Sequence, residues 1–217
     1  MSVAAATVWR VAGLFISFEG GDGAGKSTQL ALLAAWLREQ GREVVTTREP
    51  GGTDLGRSVR ELLLHGDDVD ERTEALLYAA DRAHHVTTLV RPALARGAVV
   101  LTDRYLDSSV AYQGGGRGLT AERVEELNLW AVDGLLPRLT VLLDLDPAQL
   151  PARLTGAPDR LERAGAEFHH RTRQAFLERA AAHPERFVVL DAARPVEEIA
   201  AEVRERVAAL DDAEGAR

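Results

Sequence analysis

Lys26 is the only lysine among the 26 Lys and Arg residues of this chain. Wherever a generic cation suffices the sequence uses arginine, so one compact ammonium marks chemistry that a planar guanidinium does not fit. It lies within Gly20-Gly21-Asp22-Gly23-Ala24-Gly25-Lys26-Ser27-Thr28. The spacing is G-x-x-x-x-G-K-[ST], in which backbone N–H groups cradle phosphates, the lysine reaches the β/γ oxygens and the hydroxyl binds Mg²⁺. Nucleotide phosphate is the ligand these residues imply. Further along, Arg48 lies in Thr47-Arg48-Glu49-Pro50-Gly51-Gly52-Thr53, and Asp103-Arg104-Tyr105 precedes Ser108-Ser109 and Ala111-Tyr112-Gln113-Gly114-Gly115-Gly116. Two arginines and an aspartate beside a phosphate loop imply a second anion close to the first.

These residues need a frame. Leu14 to Glu19 is a short apolar run suited to a buried strand, and from Lys26 Leu30, Leu33 and Leu37 recur at helical spacing until Gly41. Strand-like runs recur at 44–47, 98–102, 139–143 and 187–190, with helical segments at roughly 53–64, 71–95, 120–134, 147–154, 160–183 and 196–210. Apolar strands separated by helices predict an α/β fold, a parallel sheet covered on both faces. Ligands of such sheets bind beyond the carboxyl ends of the strands, where the glycine loop, Arg48 and Asp103-Arg104 all fall.

Together, the phosphate loop with Asp22 inside it, Thr47 to Gly52, Asp103-Arg104-Tyr105 with Ser108-Ser109 and Tyr112-Gln113-Gly114, and Asp159-Arg160-Leu161-Glu162 closely resemble the bacterial thymidylate kinase family. The resemblance runs from about Leu14 to about Ala209. It implies the P-loop NTPase fold with a five-stranded parallel sheet and a small lid segment, phosphorylation of dTMP by ATP with Mg²⁺, and a homodimer. It assigns Lys26 to the donor phosphates, Ser27 and Asp103 to the metal, Arg48 and Arg104 to the acceptor phosphate and Asp22 to the deoxyribose 3′-OH. Tyr78 is assigned to stack on the base, a departure from the family's usual Phe, and Arg82, four residues on and so on the same helix face, to bond a base carbonyl. Ser109 and Gln113 are assigned to the base edge, Tyr112 to the sugar, and Arg194, after the last strand, to the adenine border.

The variable positions of the phosphate loop, Gly21 to Ala24, carry no basic residue; members of the family it resembles that share this feature usually supply the charge from a lid, so the resemblance implies Arg153 or Arg160 of the lid at about 150–163, with Arg163 in reserve. A lid arginine meets the transferring phosphate only on closure. Blander readings of the same residues stay open from sequence alone: Asp22 as a turn former, Asp103 as an orienting partner of Arg104, Tyr78 as core, Arg82 as the partner of Asp81 or a nearby acid.

A chain of 217 residues suits one domain, read here as 13–210, with an N-terminal extension at 1–12 and a frayed tail at 211–217. The net charge of −8 argues against a general nucleic-acid binder, whose footprint is a basic face. With no cysteine there is no disulfide, thiolate metal site or cysteine nucleophile. No secretory signal or membrane span is recognisable, so the expected location is the cytoplasm and the expected partners are small molecules. The pairs His84-His85 and His169-His170 are adjacent on helices and do not converge on a metal. Guanine-binding switches typically need an N-K-x-D motif, which a chain whose only lysine is Lys26 cannot supply. A P-loop kinase for another acceptor, or a silent ATP-binding module, is the alternative reading.

Overall fold

The computed structural model describes residues 13–116, 119–149, 153 and 165–215, with side chains to residue 210. Five strands, β1 (Phe15–Glu19), β2 (Val44–Arg48), β3 (Val99–Asp103), β4 (Leu139–Asp144) and β5 (Phe187–Asp191), form one sheet in the order β2-β3-β1-β4-β5. Every pairing is parallel. The central strands β1 and β3 are buried on both faces, whereas β2 and β5 are half-exposed at the edges and tolerate Thr46, Thr47 and Asp191.

Alternation along the strands feeds two core layers. Ile16 and Phe18 face Leu33 and Leu37 of α1 (Lys26–Glu39) and Val203 and Val207 of the last helix. Phe15 and Val100 face Val90, Leu94 and Leu106 on the other side. A third cluster includes Leu63, Tyr78, Tyr112, Phe168 and Phe176, of which Tyr78 and Tyr112 also line a cavity.

The helices have local causes. α2 (Asp54–His65) is capped by Thr53, whose side chain accepts from the Gly56 N–H at 2.9 Å, and α3 (Glu71–His85) by Asp70, which accepts from the N–H groups of Arg72 and Thr73. α3 continues through a π-helical turn at Val86–Val90 into α4 (Arg91–Ala95), so the expected helix over 71–95 is one run with an inserted wide turn. The stretch after β3, read from sequence as loop, is helical: α5 (Leu106–Ser109) leads into a π-helical turn at Val110–Gly116. Its three glycines serve close packing rather than a turn. A Cβ on Gly115 would stand 2.4 Å from Ala175 Cβ, and one on Gly116 2.5 Å from the Phe168 ring.

α6 (Ala121–Ala131), α7 (Ala166–Ala182) and α8 (Val196–Gly215) follow the remaining helical periodicity. α8 runs past residue 210, where the sequence places its end. Of the segment expected at 147–154, Pro147–Gln149 is a short 3-10 turn. The extension at 1–12, and most of the lid stretch with Arg160 and Arg163, lie outside the described residues.

Candidate active site

β1 ends at Glu19, and the chain turns through Gly20 (φ 129°), Gly23 (φ 69°) and Gly25 (φ 92°) into α1. A Cβ on Gly20 would stand 2.3 Å from the Leu143 carbonyl oxygen, so the loop needs glycine there for room as well as for φ. α1 opens without a side-chain cap and without an acid in its first turn. Its N-terminal N–H groups are therefore left for an anion, and the helix dipole favours one there. Lys26 is buried and its Nζ donates to the Gly20 and Gly21 carbonyls at 3.1 and 2.7 Å. Burial, with the Arg104 charge, draws its pKa down to about 8 against the pull of Asp103, Asp22 and Glu19. Ser27 and Thr28 are exposed at the helix start.

Arg104 occupies the centre. Its backbone is left-handed (φ 70°), a conformation that a non-glycine residue holds only when its surroundings fix it. They do: its N–H donates to the Phe18 carbonyl at 2.9 Å, its carbonyl accepts from Thr102 Oγ1, and the next N–H, of Tyr105, donates to Glu19 Oε1 at 2.8 Å. The guanidinium donates to Asp22 Oδ1 at 2.7 Å, to the Gly20 carbonyl and Ser108 Oγ at 3.0 Å, and lies over the Tyr112 ring. Burial alone would raise the Asp22 pKa, but Arg104 and Lys26 outweigh it and hold the carboxyl at about 2. Glu19 is the opposite case: burial and the neighbouring Asp107 push it up to about 8.

Two cavities meet here. One is lined by Gly23, Gly25, Lys26, Ser27, Arg48 and Asp103; the other by Tyr78, Arg82, Ser109, Tyr112 and Gln113; and Asp22, Glu49, Arg60 and Arg104 line both. Arg48 is exposed and has no hydrogen-bond or ion-pair partner among the described residues, so its guanidinium is available for an anion. Asp103 does not pair with Arg104; its Oδ1 is buried without a partner. Ser27 and Asp103 line a common cavity. An unpartnered carboxylate oxygen whose residue shares a cavity with a hydroxyl at the start of α1 is a donor set that fits Mg²⁺.

Arg82 is buried completely. Nε donates to Glu49 Oε2 at 2.5 Å, Nη1 to Ser109 Oγ at 3.1 Å and to Asn128 Oδ1, and Nη2 to the Tyr105 carbonyl at 3.2 Å. Its partner acid is Glu49, not the adjacent Asp81. Both oxygens of Asp81 are buried, and burial and the Glu49 charge raise its pKa to about 6. Arg194 stands apart from both cavities, donating to Glu202 at 2.8 Å, and Arg153 is exposed.

The sequence reading gave no role to Glu19, Glu49, Arg60, Glu74 or Ser108. Arg60 donates to the Pro50 carbonyl at 3.1 Å and faces both cavities. Glu74 carried a legible signal, since it lies one helical turn before Tyr78. Glu19 and Glu49 are recognised only through partners far along the chain, Tyr105 and Ser108 for the first and Arg82 and His85 for the second.

A family model described as thymidylate kinase matches residues 18–203. The chain is 65% identical over 202 residues to a thymidylate kinase of Clavibacter michiganensis, covering 91% of this chain and 96% of that one. With a thymidylate kinase of Deinococcus radiodurans it shares 55% identity over 195 residues, 88% and 94% of the two chains. This chain belongs to the thymidylate kinase family. The crystal structure of a thymidylate kinase from Ehrlichia chaffeensis matches with a TM-score of 0.75 at 34% identity, covering 90% of this chain and 98% of that one. The shared fold is the five-stranded P-loop architecture. As a thymidylate kinase the chain is a phosphotransferase that converts dTMP to dTDP.

Proposed function

We propose that ATP is held by the phosphate loop from Gly20 to Thr28, that dTMP fills the cavity over Tyr78 and Arg82, and that the acceptor phosphate lies where the two cavities meet. The observation that carries this is the shared wall: Asp22, Glu49, Arg60 and Arg104 line both cavities. Phosphoryl transfer asks the protein for alignment and charge neutralisation rather than covalent chemistry. The acceptor oxygen of a nucleoside monophosphate is already anionic near neutral pH, so no general base is required. Arg48 and Arg104, with Arg60 beside them, offset the repulsion of two phosphates brought together. Lys26 exchanges the Gly20 and Gly21 carbonyls for donor phosphate oxygens. Asp22, kept ionised by Arg104 and Lys26, accepts a hydrogen bond from the 3′-OH of the sugar, while Tyr112 and Tyr78 enclose sugar and base.

Ser27 and Asp103 would hold Mg²⁺, which when bound supplies positive charge to the β- and γ-phosphates. Arg153 or Arg160 supplies the further cation on closure, and Arg194 borders the adenine. The active form is a cytoplasmic homodimer. The packed helices α2, α3 and α6 carry exposed Leu62, Leu76 and Trp130, which supports pairing of two copies there. Among the described residues no helix is long and apolar enough to cross a membrane.

The test is coupled ADP release over a panel of monophosphates. Turnover highest with dTMP is expected; turnover of another monophosphate with none of dTMP would overturn the reading. Sedimentation of wild type and of Trp130→Asp checks the dimer, and a monomeric wild type would end that part of it.

A further inference from the structure

The base cavity has a hydrogen-bond polarity, set by two buried charges on one face of α3. Glu74 and Arg82 lie eight residues apart, two turns, with Tyr78 between them, and all three are buried. Arg82 can only donate, so Ser109 Oγ, 3.1 Å from Nη1, is an acceptor there. The Ser109 proton has no acceptor among the described residues and is free to donate. On the other side Gln113 Nε2 donates to Glu74 Oε1 at 2.9 Å. An ionised carboxylate only accepts, which fixes the orientation of the Gln113 amide. Its Oε1 receives no hydrogen bond from a described residue and is not sealed from solvent, although the residue is only 1% exposed, and the cavity is what it lines.

The wall thus offers a donor, the Ser109 hydroxyl, supplemented by the remaining Nη2 proton of Arg82, beside an acceptor, Gln113 Oε1. We propose that Glu74 is a positioning residue that locks Gln113 as an acceptor and thereby selects pyrimidines carrying a 4-oxo group and an N3–H over those carrying a 4-amino group and a bare N3. Thymine and uracil complement the wall at both positions. Cytosine sets its bare N3 against Gln113 Oε1, acceptor to acceptor, where the Ser109 hydroxyl can rotate to suit but the amide held by Glu74 cannot, and buried polar groups are left unpaired. The inference rests on the reading that this cavity takes the base of dTMP.

Coupled ADP release is measured with dTMP, dUMP and dCMP for wild type, the near-isosteric Glu74→Gln, and the exchanged pair Glu74→Gln with Gln113→Glu. The amide introduced at position 74 presents either its oxygen or its NH₂ group, so the Gln113 amide is free to turn over. The preference for dTMP over dCMP in kcat/KM is expected to fall at least about tenfold in Glu74→Gln, through KM. The preference for dTMP over dUMP stays unchanged, because both bases show the same edge. In the exchanged pair the amide introduced at position 74 donates to the carboxylate introduced at position 113, an acceptor is restored to the cavity and the preference against dCMP returns. An unchanged dTMP:dCMP preference in Glu74→Gln, or a loss that the exchange does not restore, would overturn the proposal while leaving dTMP kinase activity standing. Wild type inactive on dTMP would overturn the parent reading and this one with it.

Discussion

Lys26 is strained electrostatically before any nucleotide arrives. With its pKa drawn down from 10.5 to about 8 by burial and Arg104, the folded chain resists a proton that the unfolded chain holds. Between about pH 8 and 10.5 the unfolded state therefore binds more protons, and stability rises with pH across that window. Below pH 8 the penalty is present in full. Lys26→Met is expected to be more stable than wild type in urea at pH 7, with the advantage shrinking as pH rises toward 10.5. In the proposed mechanism the same residue contacts the donor phosphates. Lys26→Arg conserves charge but replaces a compact ammonium in a tight glycine loop, and turnover is expected to fall at least about 100-fold. Near-normal turnover would show that charge alone suffices.

At the level of elements, the loop after β2 is held by α3. Glu49 accepts from Arg82 Nε and from His85 Nδ1 at 2.7 Å, and His85 Nε2 pairs with Thr47 Oγ1 at 2.7 Å. Arg48 is flanked on both sides by residues of this clamp, so its exposed guanidinium is carried on a fixed backbone. The same Glu49 orients Arg82 in the cavity over Tyr78, so in the proposed mode of dTMP binding it couples the phosphate end of the site to the base end. Glu49→Gln keeps the shape but replaces one acceptor oxygen by an NH₂ group. The KM for dTMP is expected to rise about tenfold, with the KM for ATP within about twofold of wild type, because hydrogen bonds to a charged group are worth roughly 1.5–3 kcal/mol. Equal rises in both would mean that the clamp serves the whole site.

At the level of the molecule, Asp107 ties the layers together. Buried in α5, it accepts from Arg179 of α7 and from Arg186 Nη1 and Nη2 at 2.8 Å; Arg186 also donates to Thr140 Oγ1 of β4, which accepts from Ser17 Oγ of β1. Burial would raise its pKa, but the Arg186 hydrogen bonds and the Arg179 charge overcome that and hold it below the usual carboxylate range. Asp107→Ala strips the common partner from two buried guanidinium groups and is expected to destabilise by about 3–5 kcal/mol. A shift of the urea midpoint measures it. A loss of less than about 1 kcal/mol would show that water replaces the carboxylate.

How much of this was legible follows from how far apart the partners lie. The proposed phosphate cradle is nine consecutive residues, Gly20 to Thr28, and a strand, a glycine loop and a helix start impose their geometry on neighbours through φ, ψ and backbone N–H groups alone. The sheet was legible for the same reason, since each strand announces itself as an apolar run. The helical turn at 106–116 was not: its glycines look like loop until Ala175 and Phe168 are seen pressed against them. Nor was the state of Arg82, whose partners Glu49, Ser109 and Asn128 are 33, 27 and 46 residues away. By itself the sequence determined a parallel α/β sheet with a glycine loop of phosphate-binding pattern at its carboxyl edge. Only the tertiary structure decided what each charged side chain is free to do. Arg104 is oriented by Asp22, 82 residues distant, and Gln113 by Glu74, 39 residues distant. A buried charge or amide takes its direction from whichever partner the fold brings within hydrogen-bond reach, and spacing along the chain does not encode that distance.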